Sequence, residues 1–534
     1  MPSKINTEVD SAAHSLHSDR MPQPDFVGSS EDSSEPTGRN RHGLVRKNMS
    51  KPLRIMKFGG TSVGDASCIQ KVVEIIRAAS HDGNLVVVVS AMAGVTNRLI
   101  GAATHSAAGH RDAVAAIFEE LRKQHNVAVG SLLHSPAELH RIIHELLQEG
   151  ECLCRDTMAL RELTPPASDS ISSLGERLSA PLVAAALAEQ GIASQVIDAT
   201  QLIVTDSQHG AADPLLDLTR QNCQAWLSPL LQRGVIPVVT GFIGASAEGA
   251  LTTLGRGGSD YSATILAAAL DADEVVIWTD VGGMMTADPR VVQDARTISE
   301  ISYREAAELA YFGAKVLHPK TLRPVMQSRI PLQIRNTFAP ERTGTKVTPA
   351  GPANGRVRAV AAISDATLIT VRGRDIVEVT QALGHALTSP SSPGAEVLLI
   401  SPAHSHNDTC LVVHSSAAKT LADALRREFA DAAYRQAEQI EVDSNVAVVT
   451  VVGHHVCTAS GLINRVYNAL KRENVKVLPI AQGASECNLS YVVARQDMKS
   501  ALVATHREFQ LAEADSQVSA ASSVAGEPAT WLYE

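Results

Sequence analysis

Paired CxxC motifs are absent from all 534 residues, and the seven cysteines, Cys68, Cys152, Cys154, Cys223, Cys410, Cys457 and Cys487, are scattered. That spacing argues against a zinc site, and the odd count without a secretory signal points to free thiols in a reducing, cytoplasmic setting. Cys68, on an expected helix, reads as a packing residue rather than a nucleophile. Long apolar runs are also missing. The longest, around 85–95 and 180–188, fall short of the roughly 18–20 residues that cross a bilayer and suit buried strands or helices, so a soluble chain with no membrane partner is expected. No long basic block accompanies the net charge of −10, which argues against nucleic acid as the main partner. The helical histidines His105, His110, His125, His134, His140 and His144 form no metal-binding pattern, and no protein metal ligands are expected. The GxxxxGK[ST] phosphate loop is absent too.

What is present centres on 240–290. Leu254-Gly255-Arg256-Gly257-Gly258-Ser259-Asp260 leads into a helix expected over Tyr261–Leu270. Glycines let the backbone turn tightly beside a ligand, a helix N-terminus offers free N–H groups to anions, and Arg256 adds a planar fork suited to carboxylate or phosphate. A short apolar strand, Glu274–Trp278, then ends in Thr279-Asp280-Val281-Gly282-Gly283, a second contact surface if it lies at the carboxyl edge of an α/β sheet. An ordinary strand–turn–helix is the bland alternative, but Arg, Ser and Asp cluster round these glycines where generic turn residues would serve.

The length predicts about three or four domains, and 44% hydrophobic residues suffice for a large core. Residues 1–50, polar and without apolar periodicity, read as a disordered tail. Acids among the bases disfavour a transit peptide there, and Met49 is a candidate alternative start. Folding begins with a strand through Lys57-Phe58-Gly59-Gly60-Thr61-Ser62, then a helix over about 65–79. Lys57 is either a surface lysine or a point charge beside a backbone cradle, which suits a terminal phosphoryl group. The valine run at 85–90 is a buried parallel strand ending in Ser90-Ala91-Met92-Ala93-Gly94-Val95-Thr96-Asn97. Residues 99–163 read as helices. Ser173-Leu174-Gly175-Glu176-Arg177-Leu178-Ser179 leads into a helix over 180–190, with Glu176 placed as a helix-start cap. Lys315, after Gly313 at a helix end, is a further phosphate candidate. Strand, loop and helix alternate across 52–345, which predicts an α/β fold, a three-layer sandwich whose mainly parallel sheet has helices on both faces. Residues 346–358 read as a linker. Two successive βαββαβ modules, 359–440 and 441–510, follow, with 511–534 loose.

Together these motifs resemble aspartate kinase: KFGGTSV at 57–63, SAMAGVTN at 90–97, SLGERLS at 173–179, GFIG at 241–244 with TLGRGGSDYSA at 253–263, WTDVGGMMTADPR at 278–290 and FGAKVLHP at 312–319. The resemblance spans about 52–510 and implies the amino acid kinase fold with paired C-terminal ACT modules. IAQGASECNLSYVV at 480–493 is similar to the form fused to homoserine dehydrogenase, although no strand–GxGxxG–helix unit follows. The resemblance implies phosphoryl transfer from ATP, with Mg²⁺, to the side chain of L-aspartate, giving 4-phospho-L-aspartate on the way to lysine, threonine and methionine. It implies Lys57 with Gly59, Gly60 and Thr61 at the transferring phosphoryl, and Asp260 orienting Lys57. Arg256 and Glu176 would hold the two backbone charges of aspartate, with Ser90, Thr96 and Ser259 lining the cleft. Thr279, Asp280, Met285, Arg290 and Lys315 would hold the nucleotide; methionine at 285 stands where the family often has tyrosine. Lysine or threonine would bind the ACT modules, which would also build a dimer or tetramer. The rivals are another kinase of the fold, acting on glutamate, acetylglutamate or a nucleoside monophosphate, an amino-acid sensor with an inactive kinase half, and one piece of a larger fused enzyme.

Overall fold

Leu53–Phe58 and Asn84–Val89 read LRIMKF and NLVVVV, and only Arg54 and Asn84 among their twelve side chains are not buried. Strands that apolar need cover on both faces, and they lie side by side at the centre of a sheet. The computed structural model describes residues 51–513 apart from 314–315, 353–355, 373–375, 389–395, 404–407, 430–439, 455, 457–460 and 483–485. The expected tail over 1–50, Lys315 and residues 514–534 lie outside the described residues.

The central sheet has eight strands, in the order Ser194–Ile197, Ile236–Thr240, Asn84–Val89, Leu53–Phe58, Glu274–Thr279, Leu332–Asn336, Thr345–Thr348, Glu300–Ser302. Its pairings are parallel except that between Leu332–Asn336 and Thr345–Thr348. Side-chain alternation splits the strand Leu53–Phe58 between two cores. Met56 and Phe58 face helices Ala66–Ser80, Val95–Ala108 and Pro165–Glu189, while Leu53 and Ile55 face Gly258–Leu270 and Pro319–Ser328. Lys57 shares the parity of Leu53 and Ile55, so it points to the layer of Gly258–Leu270. This is the three-layer architecture expected from the alternating pattern. Among the described residues no helix is long and apolar enough to cross a membrane, and six cysteines are free thiols.

Three differences from the sequence reading matter. Pro165–Glu189 is one continuous helix, capped by the Thr164 side chain, so Glu176 sits in its middle and is no cap. The serines along it bond within it or to its neighbour: Ser172 and Ser173 hydroxyls donate three residues back, and Ser179 Oγ donates to Ser90 O at 2.6 Å. Packing overrides a weak local preference here. The helix after the arginine bend starts at Gly258, so Ser259 and Asp260 lie in its first turn. Thr345–Thr348 is a strand of the central sheet, so the connection read as 346–358 starts later.

The C-terminal half is a six-stranded antiparallel sheet, in the order Val397–Ala403, Asp408–His414, Val357–Val371, Ile440–Gly453, Asn488–Ala494, Val477–Gln482. Its two middle strands, of 15 and 14 residues, run through both modules. Residues 357–363 pair with the 448–453 end of the second strand, and their core holds helices Leu462–Arg472 and Met498–Glu508. Residues 368–371 pair with 440–443, and their core holds Ile376–Thr388 and Ser415–Glu428. The modules therefore interleave, whereas periodicity suggested one after the other. Register shifts at Ile363/Ala366 and Ala366/Leu368 mark the changeover.

Candidate active site

Parallel strands all end on one edge of the sheet, so the loops after Phe58, Val89, Thr240 and Thr279 crowd together there. Strand Leu53–Phe58 lies between Asn84–Val89 and Glu274–Thr279, and the chain passes from one side of it to the other. Lys57 Nζ and Asp260 Oδ1 form an ion pair at 2.5 Å, with side chains only 9% and 14% exposed. Asp260, in the first helical turn, also gains from the positive end of that helix. The diglycine bend beside them is tight: a Cβ at Gly60 would lie 2.9 Å from Ala91 O, and one at Gly59 would lie 3.6 Å from Lys57 Nζ. The Gly59 N–H donates to Trp278 O at 3.0 Å, which continues the ladder between the strands. It is committed to the sheet, contrary to the expectation that it faces a phosphoryl group. Thr61 is half-buried in the same bend.

Glu176 reaches this cleft from the middle of its helix and is buried, 3% exposed. Its Oε1 accepts from Ser259 Oγ at 3.3 Å, and its Oε2 has no partner among the described residues. Burial pushes its pKa up to about 7, against the opposing pull of the Ala91 N–H, the Ser259 hydroxyl and the Lys57 ammonium. An orphaned carboxylate oxygen in a buried site costs free energy unless a ligand donor fills it. Gly175, the preceding residue, lets the helix press on the Ser90 loop, since a Cβ there would meet Ala91 Cβ at 2.6 Å. Ser90 N–H donates to Phe58 O at 3.1 Å, and Thr96 is half-buried in the first turn of Val95–Ala108. Arg256 is exposed in a bend between Gly255 and Gly257, whose φ angles of +76° and +71° favour glycine.

Thr279 and Asp280 close the neighbouring strand, Thr279 Oγ1 donating to Asp280 Oδ1 at 3.2 Å and Asn336 Nδ2 to Asp280 O at 3.1 Å. Ser62 and Thr337, which the sequence reading passed over, join their hydroxyls at 2.7 Å between the two strand ends. Trp278, quoted in the 278–290 motif without a role, has Phe58 stacked on it at 6.1 Å and the Arg335 guanidinium 4.7 Å from its ring centroid. Met285 and Arg290 follow a different path. Met285 bridges to Thr297, whose hydroxyl lies 3.5 Å from its sulfur, and Arg290 is ion-paired with Asp288 at 2.5 Å. Between and beyond them, Ala287 and Val292 enter the core of the C-terminal half. Lys315 is outside the described residues.

Comparison with known proteins agrees with this geometry. The amino acid kinase family model matches residues 52–336, and an ACT domain model matches 449–509. The chain is 32% identical over 474 residues to the chloroplastic bifunctional aspartokinase/homoserine dehydrogenase 2 of Arabidopsis thaliana, covering 86% of this chain and 50% of that protein. It thus spans about half the length of such bifunctional relatives. It is 32% identical over 455 residues to lysine-sensitive aspartokinase 3 of Escherichia coli, covering 85% of this chain and 98% of that protein. The crystal structure of E. coli aspartokinase III in complex with aspartate and ADP matches with a TM-score of 0.73 at 30% identity, covering 86% of this chain and all of that one. With its catalytic half, its ACT modules and nearly the whole of a monofunctional relative matched in order, the chain belongs to the amino acid kinase family, among the aspartokinases.

Proposed function

We propose that this protein is an aspartate kinase, transferring the γ-phosphoryl group of ATP to the side-chain carboxylate of L-aspartate, with release of ADP. The observation that carries this reading is the buried Lys57–Asp260 pair beside Glu176, whose free oxygen faces no described partner. The acceptor carboxylate, with an ordinary pKa of about 3.9, is already ionised at neutral pH, so no general base is required. Position and charge do the work. Lys57, held by Asp260, offsets charge on the transferring phosphoryl, with the Gly60 bend and Thr61 approaching it. Glu176 takes the substrate's ammonium, whose approach draws its raised pKa down and leaves it ionised. Arg256 takes the α-carboxylate as a bidentate fork, while Ser90, Thr96 and Ser259 line the cleft. Thr279, Asp280, Met285 and Arg290 hold the nucleotide; Lys315, expected to join them, lies outside the described residues.

Among the described residues no group of three or more acidic, histidine or cysteine side chains could hold a metal ion. Mg²⁺ would enter this cleft with ATP and would supply positive charge to the phosphates, needing few ligands from the protein. The E. coli relative is named as lysine-sensitive, and the ACT modules here support feedback by lysine or threonine and assembly into a dimer or tetramer. The free thiols support a reducing compartment, such as the cytoplasm. An ATP-dependent hydroxamate assay with aspartate, repeated with glutamate, acetylglutamate and added lysine or threonine, tests the reading. Product with aspartate alone supports it; product only with another acceptor, or none with any, overturns it.

A further inference from the structure

Asp169 is one of the few carboxylates buried in the catalytic half, at 2% exposure, and none of the motifs includes it. It lies seven residues before Glu176 on the same helix, two turns away and on the same face. Its two oxygens collect donors from one loop and from the end of a separate strand. The Gly210 N–H lies 3.1 Å from both, Thr253 donates through its hydroxyl at 2.6 Å and its N–H at 3.2 Å, and His209 Nδ1 lies at 2.8 Å. Burying a carboxylate is costly unless such donors surround it, and once they do they are held in one geometry.

Those donors lead directly to Arg256. Thr253 ends the strand Leu251–Thr253, and the bend Gly255–Arg256–Gly257 starts two residues later. The loop carrying His209 and Gly210 braces that bend from the other side. Ala212 N–H donates to Thr253 O at 2.9 Å, and a Cβ on Gly255 would lie 3.0 Å from Gly210 O. One helix therefore carries Glu176 and, through Asp169, anchors the loops that present Arg256. Two turns of that helix separate Glu176 from the carboxylate that anchors the arginine bend.

We propose that Asp169 is a positioning residue for aspartate recognition, acting through Thr253 and the 209–210 loop to hold Arg256 at the correct span from Glu176. This rests on the aspartate kinase reading above. In the full-length protein, Asp169→Asn keeps the shape but sets an amide NH₂ against donors. Its KM for aspartate should rise about tenfold or more, a reduced form of the effect of Arg256→Ala, while the KM for ATP stays within about twofold. Thr253→Val, which removes one donor and keeps the volume, should raise the aspartate KM by less and serves if Asp169→Asn fails to fold. Amide hydrogen exchange in the same preparations reads the anchoring without turnover: Gly210, Ala212 and Thr253 should exchange faster in both variants, and residues 57–60 should not. Faster exchange at those three amides with an unchanged aspartate KM overturns the positioning role and leaves the aspartate kinase reading standing. Unchanged exchange overturns the anchoring itself. Equal rises in both KM values indicate general loosening and also count against it. A wild-type protein with no aspartate-dependent activity sinks the functional reading, whatever the exchange shows.

Discussion

The catalytic and regulatory halves bury strands of similar composition and use them in opposite ways. In the catalytic sheet all but one pair of neighbouring strands run the same way, so the chemically useful segments at 57–61, 90–97 and 279–283 meet on one edge although the last is remote in the chain from the other two. In the regulatory sheet neighbours alternate in direction and loops scatter to both edges, and its ion pairs, Arg372 with Glu441 and Arg465 with Glu508, involve mostly half-exposed side chains. Its helices cover one face, and a smaller apolar cluster on the sheet includes Phe312 of the catalytic half. The halves also meet through one loop. Thr286 hydrogen-bonds His506 at 3.0 Å and its carbonyl accepts from Val360 N–H at 2.8 Å, while Ala287 and Val292 sit in the regulatory core. A segment beginning at the proposed nucleotide contacts is thus part of the regulatory module's interior.

The comparison breaks most sharply at Lys57. Lys57→Ala should lower kcat by about 10²–10³-fold or more, the scale of losing one preorganised charge contact, with circular dichroism unchanged. Near-normal turnover would show that charge does not converge where the parallel strands end. A smaller effect tests the buried carboxylate. The pKa of Glu176 is raised to about 7, so protonation as pH falls through 7 removes its charge, and the KM for aspartate should rise towards pH 6. Glu176→Gln should raise that KM at all pH values and flatten its pH dependence across this range. The linkage has a matching sign for stability. A raised native pKa stabilises the ligand-free fold at low pH, a contribution lost as pH rises through about 7. The wild-type Tm should therefore fall from pH 5 to 8 relative to Glu176→Gln, and the opposite slope would contradict the buried, uncompensated carboxylate. The smallest effect probes the contact between the halves: His506→Ala should shift the KM for ATP by about two- to fivefold and leave that for aspartate alone, at a stability cost of about 1–2 kcal/mol for the lost buried bond. A change confined to aspartate would mean the loop is not the link.

Much of the catalytic half was legible because its signals are local. The valine run at 85–89 and the glycine bends at 59–60 and 255–258 each follow from neighbours in the chain. Glu176 was misplaced because the helix was expected to begin only at about 180, and the close packing of Gly175 on Ala91 that fixes the unbroken helix is a contact between remote segments. Asp169 and Ser62 escaped notice because their partners lie 84 and 275 residues away. The interleaving of the regulatory modules escaped for a related reason: period-2 patterning marks a strand but says nothing about which neighbour each of its ends will choose.

Local chemistry thus dictated where the strands and glycine bends fall, that the catalytic sheet is parallel, and which residue types gather near phosphate, because each depends on a few adjacent side chains. Long-range packing settled the rest: the unbroken helix that buries Glu176, the commitment of the Gly59 N–H to the sheet, the anchoring of the arginine bend by Asp169, and the path of the 284–297 loop into the regulatory core. Those outcomes depend on burial and on hydrogen-bond partners brought together from distant parts of the chain, and neither exists until the layers close.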